Sequence, residues 1–437
     1  MTRHLSPARN LATLGRFLSV GARVFMGGST GEVLPVTSAF ASGDLPAVDL
    51  TTSFVPGINA MPAALADGMR ITNPFPVTTN APVTVSSDSY SAYGKWLARQ
   101  SFDLSILHVA PPADGRFASL GSAVEFSLIA AQRSKRVVAV INEKIPHLPR
   151  AAGIDLDRLD GVIELTSDLA CYDAGAPTPA AQEVARNVAS FIGDGATIQV
   201  GLGKIPDALF GLLRDRRGLK LWSGMFSDGL RPLFEAGALD PDFVHTSCVQ
   251  VGTPAHYDWL NGQEAFAVLG CDITHDAARL RTMPGLVAVN SALEVDLLGR
   301  ANLEFVGDRR ISSVGGAPDF ARAAAMAPTG ISIVAIQAAT PKGASRIVPR
   351  LRHSASLGAD IIDVVVTEYG AADLRGLDGD LRAEALIAIA DPTQADALHE
   401  AWRRLRDLGP EAFALDGAPP LTPAERDAEK NAQSDSS

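Results

Sequence analysis

Cysteine is scarce in this 437-residue chain: Cys171, Cys248 and Cys271 are the only three, far apart and without a CxxC spacing. That argues against a disulfide framework and a zinc knuckle, and it fits a reduced, cytoplasmic setting. The eight histidines form no HxxxH or HExxH pattern, so no metal site is expected. No serine sits in a GxSxG elbow, which leaves a serine-hydrolase triad without an anchor. Long apolar runs are missing as well. None reaches the ~18 residues a membrane helix needs, and the N-terminus has Arg residues but no apolar core of a secretory signal. No cluster of Lys and Arg offsets a net charge of -11 and a pI near 5.2, so nucleic acid would be repelled on average. An anionic cofactor can still bind through local backbone N–H groups and a few basic side chains.

What is present is ordinary for a globular protein: 46% hydrophobic and 20% charged residues. The length exceeds what one core supports, so two large domains are expected. A Pro- and Ala-rich link, Asp173 to Pro179, marks the boundary. The expected division is 1–180, 181–423 and a polar, disordered tail over 424–437. Short apolar runs alternate with helical patterns on both sides of the link. Strands are expected at 23–26, 48–54, 104–109, 136–142 and 161–165, then at 197–200, 219–222, 266–269, 286–289, 331–336 and 361–366. Helices are expected at 12–18, 33–41, 123–134, 181–192 and 380–390. This grammar predicts the α/β class: two tandem α/β domains of similar topology with open, mostly parallel sheets.

The most informative stretch runs from Val287 to Asn302. Its apolar run reads as a buried strand ended by Asn290-Ser291. Beyond it Leu293, Val295 and Leu297 alternate with Glu294 and Asp296. A period of two puts both carboxylates on one face. Alone, that pattern describes a half-buried edge strand with its acids in water. A carboxylate just past a strand end is also where open α/β sheets place chemistry. Glycine turns follow three strands in the second half, at Gly201/Gly203, Gly315/Gly316 and Gly370. The missing side chains would let a ligand approach the backbone. Near the N-terminus, Gly27-Gly28-Ser29-Thr30-Gly31 reads as a tight turn rather than a phosphate cradle, because no Lys follows. Lys342, Arg346, Arg350 and Arg352 make one locally basic segment, either solvated or in contact with an anion.

Five ordered segments resemble the acetyl-CoA hydrolase/transferase family. Asn290 to Gly299 is similar to its NSALEVDLxGQ signature. The others are Asp194 to Ala208, Met225 to Gly229, Gly315 to Phe320, and Val365 to Gly376. Pro111 to Gly121 and Asn142 to Pro146 agree more loosely. The resemblance implies a CoA-transferase fold of two similar α/β domains with a CoA site between them. It places the catalytic glutamate on Glu294 and CoA contacts on Gly315, Gly316, Lys342 and Gly343. It implies acyl-CoA and a small carboxylate as substrates, no permanently bound cofactor, and a homo-oligomer. Three departures from the family pattern stand out: Ala317 and Arg300 where Gln is usual, and Trp222-Ser223-Gly224 before Met225.

The implied chemistry starts with attack of the Glu294 carboxylate on the thioester carbonyl. This gives an acyl-glutamyl anhydride and CoA thiolate, which recombine as a glutamyl-CoA thioester. Backbone N–H donors, Gly343 among them, would hold the oxyanion. A hydrolase using the same glutamate, a non-catalytic CoA-binding protein and a sugar-phosphate isomerase on a related fold are the alternatives, the last disfavoured by the five segments.

Overall fold

The computed structural model describes residues 10–113 and 115–408. The expected tail over 424–437 lies outside the described residues.

Two open sheets organise the chain. The first contains β1 (Arg23–Met26), β2 (Asp49–Thr51), β3 (Arg70–Asn73), β4 (Val83–Val85), β5 (Leu104–Val109), β6 (Val137–Ile141) and β7 (Gly161–Glu164). Its order is β7-β6-β5-β1-β2-β3-β4, with every pairing parallel. The second contains β8 (Thr197–Val200), β9 (Lys220–Leu221), β10 (Leu286–Ser291), β12 (Ile331–Ala335), β13 (Val364–Thr367) and β14 (Gly370–Asp373). Between β10 and β12 in the chain, β11 (Glu294–Asp296) belongs to a small separate sheet. The order in the second sheet is β9-β8-β10-β12-β13-β14, parallel except for the final hairpin. The class is thus α/β with mostly parallel sheets. The apolar runs behave as parallel strands must: Leu104 to Val109 is buried along its whole length.

Strand order reverses between β8 and β10. From β8 the chain goes to β9 on one side, and from β10 it goes to β12 on the other. A crevice opens outside the carboxyl ends of strands at such a switch point, because the connections leave in opposite directions.

The two sheets are tied together. Arg150–Ala151 pairs with Phe266–Val268, which pairs in turn with His245–Ser247. Isolated bridges join Ala123 to Val249 and Glu125 to Gly270. These bridges also correct an expectation. The helix expected over 123–134 is confined to Ser127–Gln132, because Ala123 and Glu125 are taken up in bridges to Val249 and Gly270 of the second half. The helix expected over 12–18 is a 3-10 helix, Leu11–Phe17. The strand expected over 361–366 starts only at Val364, after a 3-10 turn at Ala359–Ile361. The helix after the Pro-rich link, Pro179–Ala189, is capped by the Thr178 hydroxyl accepting from Ala181 N–H. It packs on the second sheet and on the helix Lys204–Leu212.

Candidate active site

Asn290-Ser291 does not end the buried strand. Both residues stay in β10, paired with Val334 and Ala335 of β12. The chain then turns into β11, which pairs antiparallel with Ala301–Asn302 and parallel with Ile347–Val348. Glu294 is opposite Asn302, and the Asn302 side-chain amide donates to Glu294 Oε2 at 3.0 Å. Asn302 is itself fixed, because Nδ2 also donates to Phe305 O and Oδ1 accepts from Glu304 and Phe305 N–H. Glu294 is half-buried.

Asp296 does not share this fate, and the edge-strand reading of this stretch alone, with both acids in water, does not hold for it. Its side chain is fully buried and accepts from Arg300 Nε at 2.8 Å and Nη2 at 2.6 Å. It also accepts from the N–H groups of Leu298, Arg300 and Leu351. Asp296 is a structural clamp on the turn through Gly299, and Arg300 is its partner. Burying a carboxylate here requires that many donors. The Arg in place of the usual Gln thereby acquires a physical role.

Gly315 has φ +54, in the left-handed region, and its carbonyl accepts from Tyr90 N–H. Gly316 is needed for space: a Cβ there would lie 2.3 Å from His275 Nε2. Both glycines line a cavity of about 280 Å³, together with Gln199, Asn290, Ser291 and His275. Its position is the switch-point crevice, since Gln199 and Val200 are the last two residues of β8, and Asn290 and Ser291 the last two of β10. Phe75 and Tyr90 of the first half close it. Ala317, another departure, also lines it. So does Leu303, which follows Asn302.

Glu294 is absent from the lining of this cavity, but Ser291, three residues earlier, lines both it and a second cavity of about 390 Å³. The second includes Lys204, Leu293, Pro341 and Arg346. Lys342 and Gly343 are exposed on the turn next to it. The Gly343 N–H donates to Thr340 O at 2.9 Å, so the turn already uses the donor that was expected at an oxyanion. A larger cavity, about 750 Å³ between Glu143–Pro146 and Pro254–Asn261, contains none of these residues.

The Gly28 loop is internally satisfied: Gly28 N–H donates to Ser53 Oγ, Ser29 N–H to Asn59 Oδ1 and Gly31 N–H to Gly28 O. The tight-turn reading fits, with few donors left for phosphate. Glu125 lies beneath it, accepting from Ser29 and Ser53, and burial raises its carboxyl to about 7. No metal pattern exists in the sequence, yet the fold brings the ligand atoms of Cys248, Cys271 and His275 within 4.8 Å of one another. The Cys248 thiol donates to Gly224 O, and His275 Nδ1 is 2.9 Å from Thr274 Oγ1.

Sequence reasoning missed Asn302, Gln199, Asn290 and His275 as site residues. Asn302 closes the stretch singled out above, and its antiparallel partnership with Glu294 is the signal that pairing supplies and sequence hides. His275 lacks a second histidine at helical spacing.

Comparison with known proteins agrees with this architecture. Residues 252–402 match the acetyl-CoA hydrolase/transferase C-terminal domain. The 4-hydroxybutyrate coenzyme A transferase of Clostridium kluyveri is 31% identical over 315 residues, covering 70% of this chain and 73% of that protein. The crystal structure of 4-hydroxybutyrate CoA-transferase from Porphyromonas gingivalis superimposes with a TM-score of 0.75 at 25% identity, over 90% of this chain and 96% of that one. RipA from Yersinia pestis shares the fold, with a TM-score of 0.81 at 21% identity over 91% and 98% of the two chains. With 31% identity to the Clostridium kluyveri enzyme over 70% of this chain and 73% of that one, and a C-terminal segment that matches the family's domain, this chain belongs to the acetyl-CoA hydrolase/transferase family.

Proposed function

We propose that this chain is a CoA-transferase that moves CoA from an acyl-CoA to a short-chain carboxylate through a glutamyl-CoA thioester on Glu294. The observation that carries this is the placement of Glu294: half-buried, oriented by Asn302, and on the strand that follows the crevice. The Glu294 carboxylate attacks the thioester carbonyl, the C–S bond breaks and CoA leaves as thiolate. The thiolate attacks the Glu294 carbonyl of the anhydride and releases the donor acid. The acceptor carboxylate then attacks the glutamyl thioester and expels CoA thiolate, leaving a second anhydride; the thiolate attacks its acyl carbonyl, forming the new acyl-CoA and releasing the Glu294 carboxylate. Each bond made stores the energy of the one broken, which is why a carboxylate nucleophile suits this exchange. Binding of the remote CoA nucleotide supports the strained steps.

The CoA side of the substrate is assigned to the second cavity, where Lys204 and Arg346 supply positive charge and Lys342 stands exposed nearby. The thioester end comes up to Gly315 and Gly316, and Gly343 serves by letting the arm pass close to its backbone. CoA enters and leaves as a substrate, with no resident cofactor. Water must be kept out, or the intermediates hydrolyse. The family includes hydrolases also, so release of CoA without an acceptor acid is the measure of that second activity. A cytoplasmic homo-oligomer completes the proposal.

The test is to incubate the protein with acyl-CoA, reduce with borohydride and map the modified peptide by mass. Reduction confined to Glu294 is expected. Labelling at another residue, or none, overturns the mechanism.

A further inference from the structure

Cysteine occurs three times in the chain, and the fold brings two of the three together. The thiols of Cys248 and Cys271 and a ring nitrogen of His275 all lie within 4.8 Å of one another. None of these residues is more than 1% exposed. One residue holds the segments that carry them. Glu125 N–H donates to Cys248 O at 3.4 Å, and Glu125 O accepts from Cys271 N–H at 2.8 Å. Glu125 does so with φ +39, a left-handed backbone that a residue with a side chain keeps only where its surroundings impose it. His275 follows Cys271 by one helical turn, its N–H donating to Cys271 O at 3.1 Å. Both side chains therefore leave the same face of the turn.

Buried cysteines alone are ordinary small hydrophobes. The imidazole sets this group apart. His275 Nε2 is buried without a hydrogen bond, even from the two thiols. The Thr274 hydroxyl donates to Gly270 O, which leaves its oxygen to accept from His275 Nδ1–H at 2.9 Å. The proton is thereby placed on Nδ1 and the free lone pair on Nε2. Burial keeps the ring neutral, its pKa lowered to about 3. A histidine whose other nitrogen is tied down in this way has the form of a metal ligand.

Two sulfurs and an imidazole suit Zn2+, whereas Mg2+ and Ca2+ seek oxygen. The electrostatics agree. Glu125 and Asp272 act on Cys271, and both are acidic. Burial pushes the Cys271 thiol well above its usual range, so without a cation it keeps its proton. A bound Zn2+ displaces both thiol protons to solvent, and the two thiolates balance its charge inside the protein. Cys248 Sγ then gives up its bond to Gly224 O, which retains the N–H groups of Cys248 and Val249 as donors. Bonds to zinc of about 2.0–2.3 Å put tetrahedral ligands about 3.4–3.8 Å apart. The group closes by about 1 Å to reach that geometry.

We infer that Cys248, Cys271 and His275 form a buried site for a soft metal ion of the Zn2+ class. Three protein ligands leave the fourth tetrahedral position to a small ligand. The ion's part is positional: it pins His275, which borders the crevice cavity. The bond exchange proposed for Glu294 needs no metal, so the site stands apart from that reading.

The test strips full-length protein of metal under reducing conditions and titrates it with Co2+ in place of Zn2+. A thiolate-to-cobalt charge-transfer band is expected, saturating at one equivalent per chain and abolished by Zn2+. Cys248→Ser and Cys271→Ser should each weaken Co2+ binding at least about a hundredfold, since even the outer partners of a ligand are worth about 10–100-fold. Cys171→Ser removes the exposed thiol and should leave the titration unchanged. Zn2+ at about a hundredfold excess over its Kd should raise the thermal midpoint of the parent by at least about 3 °C. No charge-transfer band, a band lost with Cys171→Ser, or titrations unchanged in both ligand variants overturn the site. If the ligand variants do not fold, X-ray absorption at the zinc edge of the loaded parent decides. A shell with two sulfurs supports the site, and one of oxygen and nitrogen alone overturns it.

Discussion

Glu294 and Asp296 are two residues apart and have different fates. One is oriented by a single side-chain donor; the other is enclosed by an Arg and three backbone N–H groups. Replacing Glu294 with Ala should lower kcat by at least about 10³-fold, as expected for loss of a covalent nucleophile, while the thermal unfolding midpoint stays near that of the parent. Replacing Asn302 with Leu removes a hydrogen bond to a carboxylate, worth about 1.5–3 kcal/mol. Steady-state kinetics should therefore record roughly a tenfold to hundredfold drop in kcat/KM. Arg300→Leu acts on stability instead. It strands the buried Asp296 charge, and denaturant unfolding should show a loss of about 3 kcal/mol or more. Asp296→Asn added to that variant should restore part of it. The alternation of Glu294 and Asp296 was legible in the sequence, but their division of labour was not. Period-two patterning tells which way a side chain points and says nothing of which neighbour arrives from fifty residues away, as Leu351 does here.

At the scale of elements, the glycine pair separates two reasons for having no side chain. Gly315→Ala meets ordinary contacts at 3.5 Å but must keep φ +54, a strain of about 1–2 kcal/mol. Gly316→Ala has unstrained backbone but drives a methyl against His275 Nε2, an overpacking cost of about 1–3 kcal/mol. Both variants should lower the thermal unfolding midpoint, and a structure or the imidazole resonances should show His275 displaced in the second and in place in the first. Strand cores such as Leu104 to Val109 and Thr197 to Val200 were read from sequence to the residue, because continuous burial writes a continuous apolar run. Polar residues that prolong a strand were misread. Asn290-Ser291 looked like a break, yet ladder pairing with β12 outweighs their turn preference. The crevice itself follows from strand order, which no local pattern encodes.

For the molecule as a whole, buried histidines set the acid limit. Burial lowers His108, His245 and His256 to about 4 and His275 to about 3. Each binds a proton more readily unfolded than folded, so its contribution to stability is complete above about 6.5 and is lost as pH falls through the folded value. Glu125, raised to about 7, works in the opposite sense: its contribution is complete below about 4.5 and is lost as pH rises through 7. Burial also raises the carboxyls of Glu32, Asp207 and Asp319, which act in the same sense as Glu125, but the four strongly depressed histidines outweigh them between pH 7 and 5, and the protein should lose stability in acid. A thermal scan from pH 7 to pH 5 should show the midpoint falling by more than about 5 °C. Glu125→Gln should flatten the curve between pH 5 and 8. If the midpoint rises toward pH 5, the histidines are not buried neutral as described.

The small sheet formed by Arg150–Ala151, Phe266–Val268 and His245–Ser247 stitches residues from before the Pro-rich link to residues after it. A protein sewn in this way cannot open like a book to load its substrates. Entry and exit must instead be accommodated by local yielding of turns around the crevice, with the large β-framework left intact. A chain cut within 173–179 would, by the same token, give two pieces that remain bound to each other rather than two separable proteins.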